Sequence, residues 1–210
     1  MRRKRIIRLI TTILIIVAIG FIITKLINKE EVEIKRLVNL HEELNTNQTY
    51  LFEIKKDNKN KTIMAKKDDK TLIDQYSENN HSTTIVKDNN TYLVLHDREE
   101  YYVYAQNNVE QSILTDGLQE VVQNEFVTGN EKVKGKKYDY EEYAGSTIFM
   151  VASASDVSEE NIKTRFYFDK EDNLVYIKTI YGSYQEILKV KVEKNVDDSI
   201  FEIPSNYAEN

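Results

Sequence analysis

Few residues in this 210-residue chain have the types and spacing that catalysis or metal binding requires. Its three histidines, His41, His81 and His96, fall on a helical stretch, at a turn and at a strand end. They form no i, i+4 pair and no H-E-x-x-H motif, so each reads as a surface or core residue rather than a ligand. Ser146, Ser153 and Ser155 lack the G-x-S-x-G elbow, and Ser153-Ala154-Ser155-Asp156 reads as a loop leading into a capped helical turn. With no cysteine there is no thiol nucleophile, Cys-based metal site or disulfide, and the six glycines form no phosphate-binding loop. Glu99-Glu100, Glu141-Glu142 and Asp197-Asp198 invite a reading as paired carboxylates or calcium ligands. None has EF-hand spacing, and adjacent acids on a strand point to opposite faces. The expectation is a protein with no catalytic residue, cofactor or metal. What remains is aromatic: Tyr102 and Tyr104 share one strand face, and Tyr138 and Tyr140 follow the same spacing. These four are the candidate surface for a ligand or partner, against the plainer reading that tyrosine is a good strand former.

Charge narrows the partners. Residues 1–27 hold six basic side chains and no acid, so beyond them the 29 Lys plus Arg fall to 23 while all 35 Asp plus Glu remain, a formal charge of about −12. Nucleic acid and anionic headgroups need a basic patch, and neither is expected as the main partner.

Positions 9–24 carry no charge, and the stretch 6–27 adds only Arg8 and Lys25. At 1.5 Å per residue this gives a helix of about 33 Å, enough for a hydrocarbon core of about 30 Å, with the two charged heads snorkelling to the interfaces. Arg2, Arg3, Lys4, Arg5 and Arg8 precede the run without an acid, whereas Glu30, Glu31 and Glu33 dilute the lysines behind it. The positive-inside rule then leaves residues 1–5 in the cytoplasm, residues 6–27 as a signal anchor in the cell membrane, and residues 28–210 outside. A cleaved signal peptide is the competing reading, since Ala18 and Gly20 have cleavage-site spacing, but Phe21, Ile22 and Ile23 continue the apolar run.

The outer region reads as α+β, mainly β. Residues 29–44 have helical periodicity, and from Thr49 the period changes to two. Short alternating runs at 49–55, 62–67, 72–77, 83–87, 91–96 and 101–105, separated by Asp- and Asn-rich turns, predict an antiparallel meander. A second helix is expected over Val109–Phe126, then strands at 131–143, 146–151, 163–168, 174–180 and 184–193, with Asp169–Asn173 as a hairpin turn. So large a twisted sheet must curl or be covered, and two helices are available to cover it.

Three segments carry a family resemblance: 135–143 (GKKYDYEEY), the hairpin Phe166-Tyr167-Phe168-Asp169 to Leu174-Val175-Tyr176-Ile177, and the ending Val196-Asp197-Asp198-Ser199-Ile200-Phe201-Glu202-Ile203-Pro204. In them the outer domain resembles the LolA-like superfamily of lipoprotein carriers, and within it clostridial spore-germination lipoproteins of the GerS type and related Gram-positive membrane proteins. The resemblance implies an incomplete barrel, a curved antiparallel sheet with helices on its concave face. It also implies a non-enzymatic role: docking an envelope protein such as a cell-wall amidase in cell-wall or germination processes, or, alternatively, carrying acyl lipid in an apolar cavity. The ending is expected to be a strand in which Phe201 and Ile203 face the core and Glu202 faces solvent. No cysteine is available for acylation, so the apolar helix stands in as anchor.

Overall fold

Turn chemistry sets the framework. The computed structural model describes residues 35–105, 113–144 and 162–210, and the expected membrane anchor at 6–27 lies outside them. Among the described residues no helix is long and apolar enough to cross a membrane. After helix α1 (Arg36–Asn47), strands β1 (Thr49–Lys55), β2 (Lys61–Lys67), β3 (Lys70–Ser77), β4 (Asn80–Lys87), β5 (Asn90–Leu95) and β6 (Glu100–Ala105) form an antiparallel meander. Its hairpins turn on pairs such as Asp88-Asn89, both at positive φ (52° and 59°), a conformation Asp and Asn tolerate better than most residues. The wider β1–β2 loop is drawn in by Asp57, whose carboxylate accepts from the amides of Lys59 and Asn60, each at 2.8 Å.

Helix α2 (Ile113–Val122) follows, then β7 (Phe126–Val133), β8 (Lys136–Ala144), β9 (Ile162–Phe168), β10 (Leu174–Tyr181), β11 (Tyr184–Glu193) and a short β12 (Ala208–Glu209). All twelve strands share one sheet in the order β12-β6-β5-β4-β3-β2-β1-β11-β10-β9-β8-β7, which is not closed. Every pairing is antiparallel except that of β12 with β6.

The apolar side of the sheet changes along its width. On the β8–β11 side, Phe52, Phe166, Phe168 and Ile177 face α1 and α2, packing against Leu37, Leu44, Leu118 and Val121. On the β2–β5 side the opposite face is apolar: Ala65, Leu72, Ile85 and Val94 lie under Val196 and Phe201 from the C-terminal strap, residues 196–207. Strand β1 serves both, with Phe52 turned to the helices and Leu51 to the strap. Full burial of each such Leu, Ile, Val or Phe side chain contributes about 1.5–3 kcal/mol.

Several sequence expectations change. The run 131–143 is not one strand: Lys134-Gly135, at φ 48° and 84°, turns the chain tightly between β7 and β8. Helix α2 ends at Val122 rather than Phe126, and Phe126 instead opens β7 opposite Tyr143, while positions 109–112 of the expected helix lie outside the described residues. The ending is not a strand: Asp198–Phe201 form a 3-10 turn capped by Asp197, whose side chain accepts from the Ser199 amide at 2.8 Å, and Glu202, Ile203 and Pro204 follow it without regular structure. Phe201 is nevertheless fully buried and Glu202 exposed, as the alternation had implied. The strand expected at 146–151 lies outside the described residues.

Candidate functional site

Strand register assembles the one cluster of histidines among the described residues. Asp74 pairs with Thr83 and Tyr76 with His81 across β3 and β4, while Ser82 pairs with Leu95 across β4 and β5. Alternation therefore sends Asp74, Tyr76, His81 and Thr83 to the strap side. His96, one residue past the end of β5, opens a 3-10 turn (His96–Arg98) and comes to rest beside His81. The two imidazoles stack at 3.7 Å and 10°, with Tyr76 on the outer face of His81 at 3.8 Å and Tyr207 of the strap edge-on to His96 at 5.6 Å.

Asp74 is the hub. Its Oδ1 lies 2.9 Å from His81 Nε2 and accepts the Thr83 hydroxyl at 2.6 Å. Because that hydroxyl has only one hydrogen, Thr83 Oγ1 must accept from His96 Nε2, 2.7 Å away. His96 Nδ1 is then free to accept the Tyr207 hydroxyl at 3.1 Å, which assigns the neutral Nε2–H tautomer. Asp97 accepts the His81 amide at 3.0 Å and so fixes the 3-10 turn against β4. Burial and the neighbouring His81 pull the His96 pKa below its ordinary value, outweighing the carboxylates of Asp74 and Asp97. Burial, then the charge and hydrogen bond of Asp74, push the Tyr76 hydroxyl up to about 12. His41 stands apart on α1.

This cluster closes one end of a cavity of about 290 Å³ between the sheet and the strap, walled by Leu51, Ile63, Leu72, Ile85 and Val94 with Ile200 as its lid. The strap is fastened on both sides of it. Lys67 and Lys70 hold Asp198 at 2.6 and 3.0 Å, and beyond Tyr207 the Ala208 amide donates to Glu99 O at 3.0 Å. A second cavity, about 390 Å³, lies between α1 and the β9–β10 turn, and charged groups including Arg36, Glu43, Glu171, Asp172 and Lys194 ring it.

The four tyrosines singled out in the sequence do not form one surface. Tyr102 and Tyr104, on β6, face the helix side of the sheet; Tyr102 accepts from Asn210 Nδ2 at 3.0 Å, and Tyr104 is 52% exposed. Tyr138 and Tyr140, on β8, face the opposite side, with β5, β4, β3, β2, β1, β11, β10 and β9 in between. Tyr138 is edge-on to Tyr176 at 5.5 Å, and Tyr140 is edge-on to Tyr167 at 5.6 Å with the Arg165 guanidinium 4.5 Å above its ring. Their surroundings are a charge network. Glu131 pairs with Arg165 at 2.6 Å and Lys178 at 2.9 Å and accepts the Tyr167 hydroxyl at 2.7 Å, while Arg165 also reaches Glu142 at 2.6 Å. Burial alone would raise the Glu131 carboxyl, but these bonds outweigh it and hold it at about 2.

Sequence spacing gave no sign of the histidine pair, since His81 and His96 are separated by a whole hairpin. The usable signal was the register itself: the two-residue turn at Asp88-Asn89 pairs Ser82 with Leu95, so the next position along brings His81 to His96.

No family model matches the chain, and no curated protein sequence matches it. Among solved structures, an uncharacterised conserved protein of Thermus thermophilus is similar at a TM-score of 0.44 and 7% identity, over 80% of this chain and 94% of that one.

Proposed function

We propose that this protein is a non-enzymatic binding module, anchored in the cytoplasmic membrane by residues 6–27 with its folded domain outside the cell, that docks a protein partner. In this reading the sheet is the curved, incomplete barrel of the LolA-like resemblance and the helices occupy its concave side. By the same analogy the partner is an envelope protein such as a cell-wall amidase, in cell-wall or germination processes. The observation that carries the choice of a protein over a lipid is how the apolar space is filled. Between helices and sheet, Leu37, Phe52, Leu118, Phe166 and Ile177 are completely buried against one another. The larger cavity is ringed by charge, and the apolar one, about 290 Å³, sits at the lower end of the roughly 300–1,000 Å³ of small-molecule pockets. It suits a single anchoring side chain better than a full acyl chain, and buried anchors of that kind dominate protein interfaces.

The apolar wall under the strap is the one feature that favours the alternative, a lipid carrier. Photocrosslinking in the native membrane separates the two. A photoreactive residue in place of Ile200 should join the chain to one protein species, whereas the same group in place of the exposed Val127 on β7 should not. A lipid adduct at Ile200 would transfer the proposal to the carrier reading. A reporter active only outside the cytoplasm, fused after Asn210, tests the orientation.

A further inference from the structure

We propose that Asp74, His81 and His96 form a binding site for a divalent transition metal ion of the zinc class, set under the C-terminal strap. This does not rest on the docking reading, since the ion's ligands all come from β3, β4 and the turn after β5.

One carboxylate oxygen and one nitrogen of each imidazole lie within 4.8 Å of one another. Around a tetrahedral zinc with bonds of about 2.1 Å, neighbouring ligand atoms stand about 3.4 Å apart, so the widest separation has to close by at most about 1.4 Å. One pair is already closer than that: His81 Nε2 is 2.9 Å from Asp74 Oδ1. Two neutral imidazoles and one carboxylate are a borderline donor set that suits zinc and its neighbours and leaves the harder magnesium and calcium at a disadvantage. The bonds of His96 already suit the neutral ring a metal requires, with Nε2 donating to Thr83 Oγ1 and Nδ1 accepting from Tyr207.

The surroundings provide the outer support that metal-binding histidines need. With the ion on His96 Nε2, the proton of that ring moves to Nδ1 and is donated to Tyr207 Oη, now 3.1 Å away, so the contact with the strap survives with its direction reversed. The His81 side is held by Asp97 on its backbone amide. Two bonds are given up: Thr83 releases His96, and His81 Nε2 exchanges its bond to Asp74 for one to the ion. Parallel rings cannot both point a lone pair at one ion, so binding rotates one imidazole out of the 3.7 Å stack. The fourth position faces the cavity and is filled by water.

The test uses the full chain in detergent, stripped with a chelator and titrated with zinc chloride by calorimetry, and with cobalt(II) for its visible absorption. The expected result is one ion per chain, with tetrahedral cobalt bands. His81→Gln, His96→Gln and Asp74→Asn should each weaken binding by at least about tenfold, while His41→Gln leaves it unchanged. A readout in the unaltered chain removes any dependence on variant folding: the imidazole nitrogen resonances of His81 and His96 should shift on zinc addition. Absence of one-to-one binding, shifts confined to His41, or full affinity in the folded His81 and His96 variants would each overturn the proposal.

Discussion

The carboxylate of Glu141, buried on β8, accepts the backbone amide of Arg36, the first residue of α1, at 2.6 Å, and that of Leu37 at 3.2 Å. Helix N-termini leave their first amides unbonded and carry a partial positive charge. Here the cap comes from a strand more than a hundred residues away in sequence rather than from a local Ser or Asp. The Tyr143 hydroxyl donates to the same carboxylate at 2.9 Å, which ties helix, strand and core together at one group.

Replacing Glu141 with alanine removes the carboxylate that accepts from two helix amides and from the Tyr143 hydroxyl. The expected cost is about 2–4 kcal/mol, because buried donors lose charge-assisted bonds and gain no water. Glu141→Gln keeps one acceptor oxygen and should cost about half as much. Denaturant midpoints of the two variants measure this, and a change below about 0.5 kcal/mol for alanine would show that α1 is held by its apolar face alone.

Gly129, on β7, is where the Tyr140 ring lies across the neighbouring strand: a Cβ there would sit 2.5 Å from the ring carbon and hydroxyl. Gly129→Ala therefore has to push Tyr140 aside, away from the Arg165 guanidinium, at a cost of about 1–3 kcal/mol. Tyr140→Ala in the same background removes the clash, so a double-mutant cycle should show strong coupling between the two positions. Additive effects would mean that the ring is not held against the glycine.

The meander was legible because each hairpin announces itself locally: alternation gives the strands, and Asp and Asn at the turns give the register. The start of α1 was not, because Arg36 is selected by Glu141 from the far side of the sheet. The β7–β8 turn was harder to see because it has only two residues, Lys134-Gly135, and lacks the Asp or Asn of hairpins such as Asp88-Asn89, even though positions 134–137 interrupt the alternation between Val133 and Tyr138. Tyr102, Tyr104, Tyr138 and Tyr140 read as one feature from their spacing within strands. Strand order, which depends on long-range pairing, puts eight strands between the two pairs, and the register turns them to opposite faces.

Two acid transitions should be separable. The His96 pKa is lowered in the fold, so the unfolded chain binds its proton first and stability falls as the pH drops below about 6.5. His81, Asp74, Asp97, Tyr76 and Tyr207 face this ring or its stack, and of these Asp74 and Asp97 moderate the effect. Glu131, held at about 2, contributes stability above its ordinary value near 4.5 that is lost as the pH falls from there towards 2. The contribution is at most about 3 kcal/mol, and solvent reduces it because the side chain is 32% exposed. Melting temperature against pH should show both steps; His96→Gln should remove only the upper one and Glu131→Gln only the lower.

The strap offers the sharpest separation of burial from charge, since Phe201 and Glu202 are adjacent. Phe201 is fully buried among Ala65, Leu72, Ile85 and Val94, and Glu202 is exposed, reaching Lys87 at 3.2 Å. Phe201→Ala removes a large core side chain and should cost about 3–5 kcal/mol, a large share of the roughly 5–15 kcal/mol that holds a domain folded. Glu202→Ala breaks only a surface ion pair and should cost no more than about 0.5 kcal/mol. Because Tyr207 follows a few residues later, loosening the strap at Phe201 should also weaken its contact with His96 and raise the His96 pKa towards its ordinary value. Denaturant melts and histidine titration by NMR read the two effects in the same pair of variants. Equal melting midpoints would mean that the strap lies loosely on the sheet and does not build the cavity beneath it.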